Sequence, residues 1–369
     1  MTADDRRHMA HALALGRRGL GRVWPNPAVG CVIVSEGRVI GRGRTSDGGR
    51  PHAETQALSM AGDAARGATA YVTLEPCSHY GQTPPCAEAL IAAGVSRVVV
   101  GAGDPDPKVN GRGIAMLRDA GIDVTTGVLE AEACRVNSGF LSRVTRGRPH
   151  LTLKLAFSLD GRIATASGES RWITGPEARR MVHALRASHD AVMVGGGTAR
   201  ADDPELTVRD MGADLQPVRI VASRNLNLPW PSRLASTIGH APVWLVHGDT
   251  ATSSEEVTRW AEAGARLLPA KVKGGHLDPV NLLKTLADQG LTRVFCEGGG
   301  TFAASLLSAG CVDELVVFTA GLAIGAEGQP GVGVMGLSAL ADAERFQLTE
   351  TRCIGPDVMT RWLSRSSSF

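Results

Sequence analysis

Pro51-His52-Ala53-Glu54, then Glu75-Pro76-Cys77, then Cys86 decide how the first half of this chain is read. One imidazole and two thiols supply three soft donors, a set suited to zinc. Three protein ligands leave a fourth position open, the arrangement of a catalytic rather than a structural site, with one Zn²⁺ per chain. Glu54 stands two residues after His52, close enough to handle protons at the metal. A water on zinc loses a proton near neutral pH, and a neighbouring carboxylate can carry that proton to a leaving group. Isolated cysteines are commonly small buried hydrophobes. The glutamate, the two Pro-Cys steps and the chain order together favour the metal site.

His-x-Glu followed by Pro-Cys and a second cysteine is the signature of zinc nucleobase deaminases. One departure stands out. That signature has two residues between the cysteines, whereas Ser78 to Pro85 separate Cys77 from Cys86 here. The longer loop, Pro-Cys-Ser-His-Tyr-Gly-Gln-Thr-Pro-Pro-Cys, resembles that of the deaminases of riboflavin biosynthesis.

Length and composition bound the rest. At 369 residues the chain suits two domains, and 43% hydrophobic content is enough for packed cores. A net charge of +2, with aromatics at 4% and no basic block, gives no footprint for a nucleic-acid surface. Seven cysteines without a disulfide rhythm fit free thiols in a reducing cytoplasm. Met1 to Gly21 has no signal-peptide core, and no apolar run is long enough to span a bilayer.

Periodicity predicts a helix over 4–19, strands at Gly30–Ser35 and Val39–Gly43, and a helix from Ala53 to Ala61 that His52 and Glu54 open. Tyr71–Leu74 is a strand delivering Cys77 to its C-terminal end, and Pro85–Ala93 a helix with Cys86 in its first turn. A buried strand at Val95–Gly101, a helix at Gly113–Ala120, a strand at Ile122–Val128 and a helix at Ala131–Arg148 follow. The order makes a three-layer α/β domain, cytidine-deaminase-like, over residues 1–148. Asn26, in Pro25-Asn26-Pro27, is either a turn residue or a pocket residue. His79 is either a loop hydrogen-bonder or a substrate contact. Asp104 closes onto the strand-end face that carries Cys77, or simply starts the turn before Pro105.

The second domain, 149–369, has strands at Leu151–Phe157, Asp190–Gly195, Val218–Ala222, Val243–His247 and Thr292–Cys296. Helices fall at Pro176–Ala187 and Pro279–Gln289, another starts at Thr301, and Ser364–Phe369 reads as a frayed tail. Gly195-Gly196-Gly197 and Gly298-Gly299-Gly300 directly follow strands, where backbone amides can approach a phosphate. Neither is the Gly-x-Gly-x-x-Gly fingerprint, and three glycines alone are more often a tight turn.

Taken with Lys154-Leu155-Ala156-Phe157-Ser158-Leu159-Asp160-Gly161, Ser170-Arg171-Trp172, Asp202-Asp203-Pro204 and Cys296-Glu297, the glycine clusters resemble the reductase half of the bifunctional deaminase–reductase family of riboflavin biosynthesis. The resemblance covers residues 1 to about 360. It implies a dihydrofolate-reductase-like α/β fold and NADPH as cofactor. It implies hydrolytic deamination of 2,5-diamino-6-(5-phosphoribosylamino)pyrimidin-4-one, then reduction of the ribosyl group to ribityl. In the first half it implies that Asn26 lines the pyrimidine pocket and that His79 touches substrate. In the second half Ala156, Trp172, Thr198, Asp202, Ser223 and Gly299, Gly300, Thr301, Phe302, Ala303, Ala304 and Ser305 would hold NADPH. Ser170, Arg186, Leu206, Arg209 and Glu297 would hold the phosphorylated substrate, with Lys154 either near the hydride acceptor or, from its strand position, a buried counter-ion to Asp160 or Asp202. Guanidinium groups suit a phosphomonoester. Gln82 and Thr45 depart from the family's cationic pattern, which bears on the grip of the ribose phosphate. Such enzymes are often dimers or tetramers.

Two other readings compete. A zinc deaminase acting on a base in RNA, with an inactive C-terminal half, conflicts with the near-neutral charge. A purely structural zinc module has no use for Glu54.

Overall fold

The computed structural model describes residues 2–81, 84–249 and 255–365. Gln82 and residues 366–369 lie outside the described residues, whereas Ser364, expected to begin a frayed tail, is buried at the end of a strand and donates its amide to the Asp313 carbonyl. The chain divides into two compact units, meeting between Gly147 and Arg148.

In the first unit the elements are α1 (Ala3–Arg17), β1 (Gly30–Ser35), β2 (Arg38–Arg44), α2 (Ala53–Ala61), β3 (Thr69–Leu74), α3 (Cys86–Ala92), β4 (Arg97–Ala102), α4 (Arg112–Asp119), β5 (Asp123–Thr125), α5 (Glu130–Val136) and α6 (Ser138–Arg146). The sheet runs β2-β1-β3-β4-β5, antiparallel at β2-β1-β3 and parallel from β3 to β5. Helices α1 and α5 pack together and against the sheet; α2, α3 and α4 form a second contiguous group. β1, β3 and β4 are nearly continuous apolar runs because both faces are covered, and their side chains fill the core.

Local sequence seats the helix that matters most. A Cβ at Gly41 would lie 2.2 Å from the Ala57 carbonyl oxygen, and one at Gly43 would lie 2.3 Å from that of Ala53. Only glycine lets α2 lie this close to β2, and α2 starts with His52 at its N-cap and Glu54 in its first turn.

Two sequence expectations change here. The strand expected over Ile122–Val128 is only Asp123–Thr125, because just those residues pair with Arg97–Val99; Gly127, at φ 78°, then turns the chain away. The helix expected over Ala131–Arg148 is two helices, parted at buried Asn137, whose backbone (φ −94°, ψ 12°) leaves the helical region.

In the second unit the order is β6 (His150–Ser158), β7 (Arg162–Ala164), α7 (Pro176–Ala187), β8 (Ala191–Gly195), α8 (Gly196–Asp202), β9 (Val218–Ala222), α9 (Arg233–Ser236), β10 (Val243–Gly248), α10 (Glu255–Glu262), β11 (Arg266–Ala270), β12 (Val272–Lys273), β13 (His276–Leu277), α11 (Pro279–Asp288), β14 (Arg293–Cys296), α12 (Gly300–Ser308), β15 (Glu314–Ala320), β16 (Gln329–Pro330), β17 (Phe346–Ile354) and β18 (Asp357–Ser364). Nine strands form one sheet, β11-β10-β9-β8-β14-β6-β15-β18-β17, parallel from β11 to β15 and closed by the antiparallel pair β18-β17. Arg148 anchors the start of this unit: its guanidinium grips fully buried Asp313 at 2.6 and 2.9 Å, and Asp313 also accepts the Leu151 amide.

The topology places a crevice. After β8 the chain passes through α8 to β9 on one side; after β14 it passes through α12 to β15, beyond β6 on the other side. Neighbouring parallel strands whose connections leave in opposite directions open a cleft at their C-terminal ends, the usual ligand position in such sheets.

Candidate active sites

In the first unit, the N-terminal ends of α2 and α3 and the turn after β3 bring together the three residues that the sequence placed on one metal. The donor atoms of His52, Cys77 and Cys86 all lie within 4.8 Å of one another. His52 Nδ1 is 3.3 Å from Cys86 Sγ and 3.7 Å from Cys77 Sγ. A tetrahedral zinc, with Zn–N about 2.0–2.1 Å and Zn–S about 2.3 Å, holds such donors about 3.5–3.8 Å apart. The triad therefore fits zinc in donor type and in spacing, with no fourth protein ligand in the cluster among the described residues.

The electrostatics favour a cation here. Hydrogen bonding from Cys86, whose backbone N–H also lies 3.3 Å from Cys77 Sγ, lowers the Cys77 thiol to about 4, with further help from His52. The same contact, then burial, raises Cys86. Glu54 is buried beside the triad and interacts with the Cys86 thiol; burial pushes its carboxyl up to about 7, against the opposing pull of His52.

Around this centre the candidate substrate residues divide. Asn26 is half-buried and its amide packs against Gly49, in the loop just before His52. His79 lies two residues past Cys77, and its Nδ1 is buried without a partner among the described residues. A buried imidazole nitrogen left open in this way suits a bound ligand. Asp104 is buried, and burial raises its carboxyl to about 6 although it accepts the Asp106 amide at 2.8 Å. Thr45 does something else: its buried hydroxyl donates to the Pro27 carbonyl and accepts the Val29 amide, tying the Pro-Asn-Pro segment to the sheet.

Sequence reasoning missed the second role in Glu75-Pro76-Cys77. Buried Glu75 accepts the amides of Gly111 and Gly113 at 3.0 Å, Ile114 at 3.3 Å and Asp104 at 3.4 Å. It satisfies the first turn of α4 and fixes the Cys77 turn to the Asp104 loop. Glu75→Ala is expected to strand these amides, cost at least about 1–3 kcal/mol, and speed zinc loss to a chromogenic chelator. Zinc release at the wild-type rate would show that Glu75 leaves the metal turn untouched.

In the second unit a cavity of about 1150 Å³ occupies the crevice between β8 and β14. Ala156, Ser170, Thr198, Asp202, Gly299, Gly300, Thr301, Phe302, Ala304, Ser305, Lys154 and Glu297 all line it, beside Gly195, Gly196 and Gly197. Its size exceeds that of common small-ligand pockets and leaves room for a dinucleotide together with a second ligand. A Cβ on Gly300 would sit 2.6 Å from the Pro330 carbonyl, so the first turn of α12 needs glycine there. A glycine-lined cradle at the start of a nine-residue helix suits a pyrophosphate, and so fits NADPH.

Other expected residues lie elsewhere. Ser223 does not itself line the cavity, but its Oγ lies 2.8 Å from where a Cβ of the cavity-lining Gly196 would stand. Ala303 is fully buried in the core. Trp172 is 67% exposed and lines a separate shallow recess, with Arg179 stacked 4.5 Å from its ring centroid. Leu206 turns its side chain into the core; its φ of 60°, unusual for leucine, leaves only its backbone available to a ligand. Arg186 is not a free phosphate clamp: it pairs with Glu297 at 2.5 and 3.0 Å and donates to the Thr207 carbonyl at 2.7 Å. Arg209 is exposed, near Glu205 at 3.8 Å. Burial lowers the half-buried Lys154 ammonium while Glu297 opposes that shift.

A three-donor metal centre with a buried glutamate on one α/β unit, and a glycine-lined dinucleotide crevice on a second, define a two-part enzyme: a zinc deaminase joined to a nucleotide-dependent reductase. Residues 2–102 match the cytidine and deoxycytidylate deaminase zinc-binding region, and residues 149–360 match the RibD C-terminal domain. The chain is 47% identical over 360 residues to the riboflavin biosynthesis protein RibD of Escherichia coli, spanning 96% of this chain and 98% of that protein. Its fold is similar to that of Acinetobacter baumannii RibD (39% identity, TM-score 0.86, 98% and 99% of the two chains). It is also similar to a diaminohydroxyphosphoribosylaminopyrimidine deaminase/5-amino-6-(5-phosphoribosylamino)uracil reductase from Thermotoga maritima (33% identity, TM-score 0.85, the same coverage). The chain belongs to the RibD family of riboflavin biosynthesis. It is a bifunctional deaminase and reductase that uses zinc and NADPH. The reading as an RNA-base deaminase with an inactive second half gives way, because the match runs through both halves. Among the described residues no helix is long and apolar enough to cross a membrane.

Proposed function

We propose that residues 1–148 deaminate 2,5-diamino-6-(5-phosphoribosylamino)pyrimidin-4-one and that residues 149–369 reduce the ribosyl group of the product to ribityl. The observation that carries the first half is the convergence of His52, Cys77 and Cys86 beside buried Glu54. Zinc, held by those three side chains, supplies a Lewis acid that eases loss of a proton from water. Glu54 takes that proton on its carboxylate and delivers it to the departing amine, so that ammonia leaves and a carbonyl replaces it. Asn26, His79 and Asp104 orient the pyrimidine; the open His79 Nδ1 is the feature that favours this role.

In the second site bound NADPH would supply the hydride taken up at the ribosyl C1′, while the ring oxygen released there would leave as a hydroxyl with a proton from solvent. Gly299, Gly300, Thr301, Phe302, Ala304 and Ser305, with Ala156, Thr198 and Asp202, hold the cofactor, Lys154 and Glu297 face the sugar, and Ser170 and Arg209 take the substrate. Arg186 acts through Glu297, which it holds in place. Trp172 can serve the cofactor only by turning from its place over Arg179. A cytoplasmic location and a homodimer or homotetramer fit the free thiols and the family.

The test uses the full chain, the diaminopyrimidine ribotide and NADPH, following ammonia and absorbance at 340 nm. Both signals are expected. Treatment with a strong chelator abolishes ammonia release, while the deaminated ribotide still drives NADPH oxidation. Ammonia release that survives complete metal removal sinks the zinc reading.

A further inference from the structure

The large cavity extends past the residues assigned so far. At its far side, over the C-terminal end of β9, stand Arg200, Arg224 and His276, all lining the cavity and all exposed. Ser223 Oγ and Arg200 Nη1 lie 2.8 and 3.2 Å from the point a Gly196 Cβ would occupy, so both groups crowd one spot above that glycine. Arg224 is the next residue in the chain, and its guanidinium donates to the Gly275 carbonyl in the β12–β13 hairpin that carries His276. One hydroxyl, two guanidinium groups and one imidazole therefore gather at the same end.

The arginines are held in place without being neutralised. Arg200 donates to the Asn227 carbonyl at 2.9 Å, and Arg224 to the Gly275 carbonyl and to Asn225 Oδ1 at 3.1 Å. Neither has a carboxylate partner among the ion pairs of the described residues. Where parallel α/β sheets bind dinucleotides, an acidic residue near the end of a neighbouring strand takes the ribose hydroxyls of NAD, while an arginine there accommodates a 2′-phosphate. The chain after β9 reads Ser223-Arg224-Asn225, with no acid.

The span is also right. From β9 across β8 and β14 to β6 is three strand spacings, about 14 Å, with the glycine turns after β8 and β14 between them. A cofactor whose pyrophosphate rests on those turns puts its adenosine ribose over β9 and its reacting ring toward Lys154 and Glu297.

Resting on the reading of this crevice as the NADPH site, we infer that Arg224 and Arg200, with Ser223 and His276, form the pocket for the adenosine 2′-phosphate, a phosphomonoester, and so set the preference for NADPH over NADH. The experiment compares wild type with Arg224→Ser and Arg200→Ser in the full chain, measuring dissociation constants for NADPH and NADH. Adenosine 2′,5′-bisphosphate and 5′-AMP serve as competing probes. Wild type is expected to prefer NADPH, and the phosphorylated probe, by about ten- to a hundredfold. Either substitution collapses that ratio toward one, and added salt weakens NADPH more than NADH in wild type only. Should either serine variant fold poorly, Arg224→Lys and Arg200→Lys keep the charge but lose the fork, and are expected to give intermediate ratios. An unchanged ratio in well-folded variants, or no preference in wild type, overturns the pocket. Binding of neither dinucleotide overturns the cofactor reading itself.

Discussion

Glu54→Gln is expected to cut ammonia release by about 10²–10⁴-fold while leaving NADPH oxidation on the deaminated ribotide unchanged. The side chain is buried and sits in the first turn of α2, with β2 pressed against that helix at Gly41 and Gly43. Glutamine has nearly the same shape, so helix seating and zinc content are expected to persist. What it removes is the ability to accept a proton and give it up again. Metal content measured alongside the two activities makes the result decisive. Equal loss of both activities at full zinc occupancy and wild-type stability would contradict separate sites. Normal ammonia release would remove Glu54 from the chemistry.

Much of this separation was legible in the residues. Ligand identity, order and the glutamate follow from local chemistry, and the helix from Ala53 and the strand into Cys77 follow from periodicity. Residues whose role depends on distant backbone were not legible. Glu75 reads as part of a Pro-Cys step, yet its carboxylate serves the amides at 104, 111, 113 and 114, a relation that exists only once β3 and α4 are placed. The β17–β18 pair escaped because β17 is mostly exposed and polar, with a register shift between Leu348 and Glu350 that spoils alternation. Arg224 follows an apolar strand and carried a faint signal. His276 reaches the cavity only through a short hairpin and carried none.

Arg186 shows the same limit in its sharpest form, since a cation expected to meet a substrate phosphate instead spends its donors on the protein. Both members of the Arg186–Glu297 pair are nearly enclosed, with side chains 11% and 13% exposed. Burial alone would raise the Glu297 carboxyl; Arg186 outweighs it, and the net shift is downward. A carboxylate with a depressed folded value contributes stability above its unfolded value of about 4.3 and loses it as pH falls through the folded value. Arg186→Met reverses this sign. Glu297 is then buried with Lys154 and His183 as its remaining cationic neighbours, its carboxyl rises, and stability is lost as pH increases. The variant is expected to lose about 3–5 kcal/mol near pH 8, less near pH 5, together with its reductase activity. Arg186→Met with Glu297→Gln is expected to recover much of the stability and none of the activity, because the buried carboxylate is no longer stranded but Glu297 is gone. Denaturant unfolding at both pH values, with NADPH oxidation assayed in parallel, checks each part. If Arg186→Met instead keeps its stability at pH 8 and only weakens substrate binding, the guanidinium is a phosphate clamp after all, and the pair seen here is how it rests between substrates.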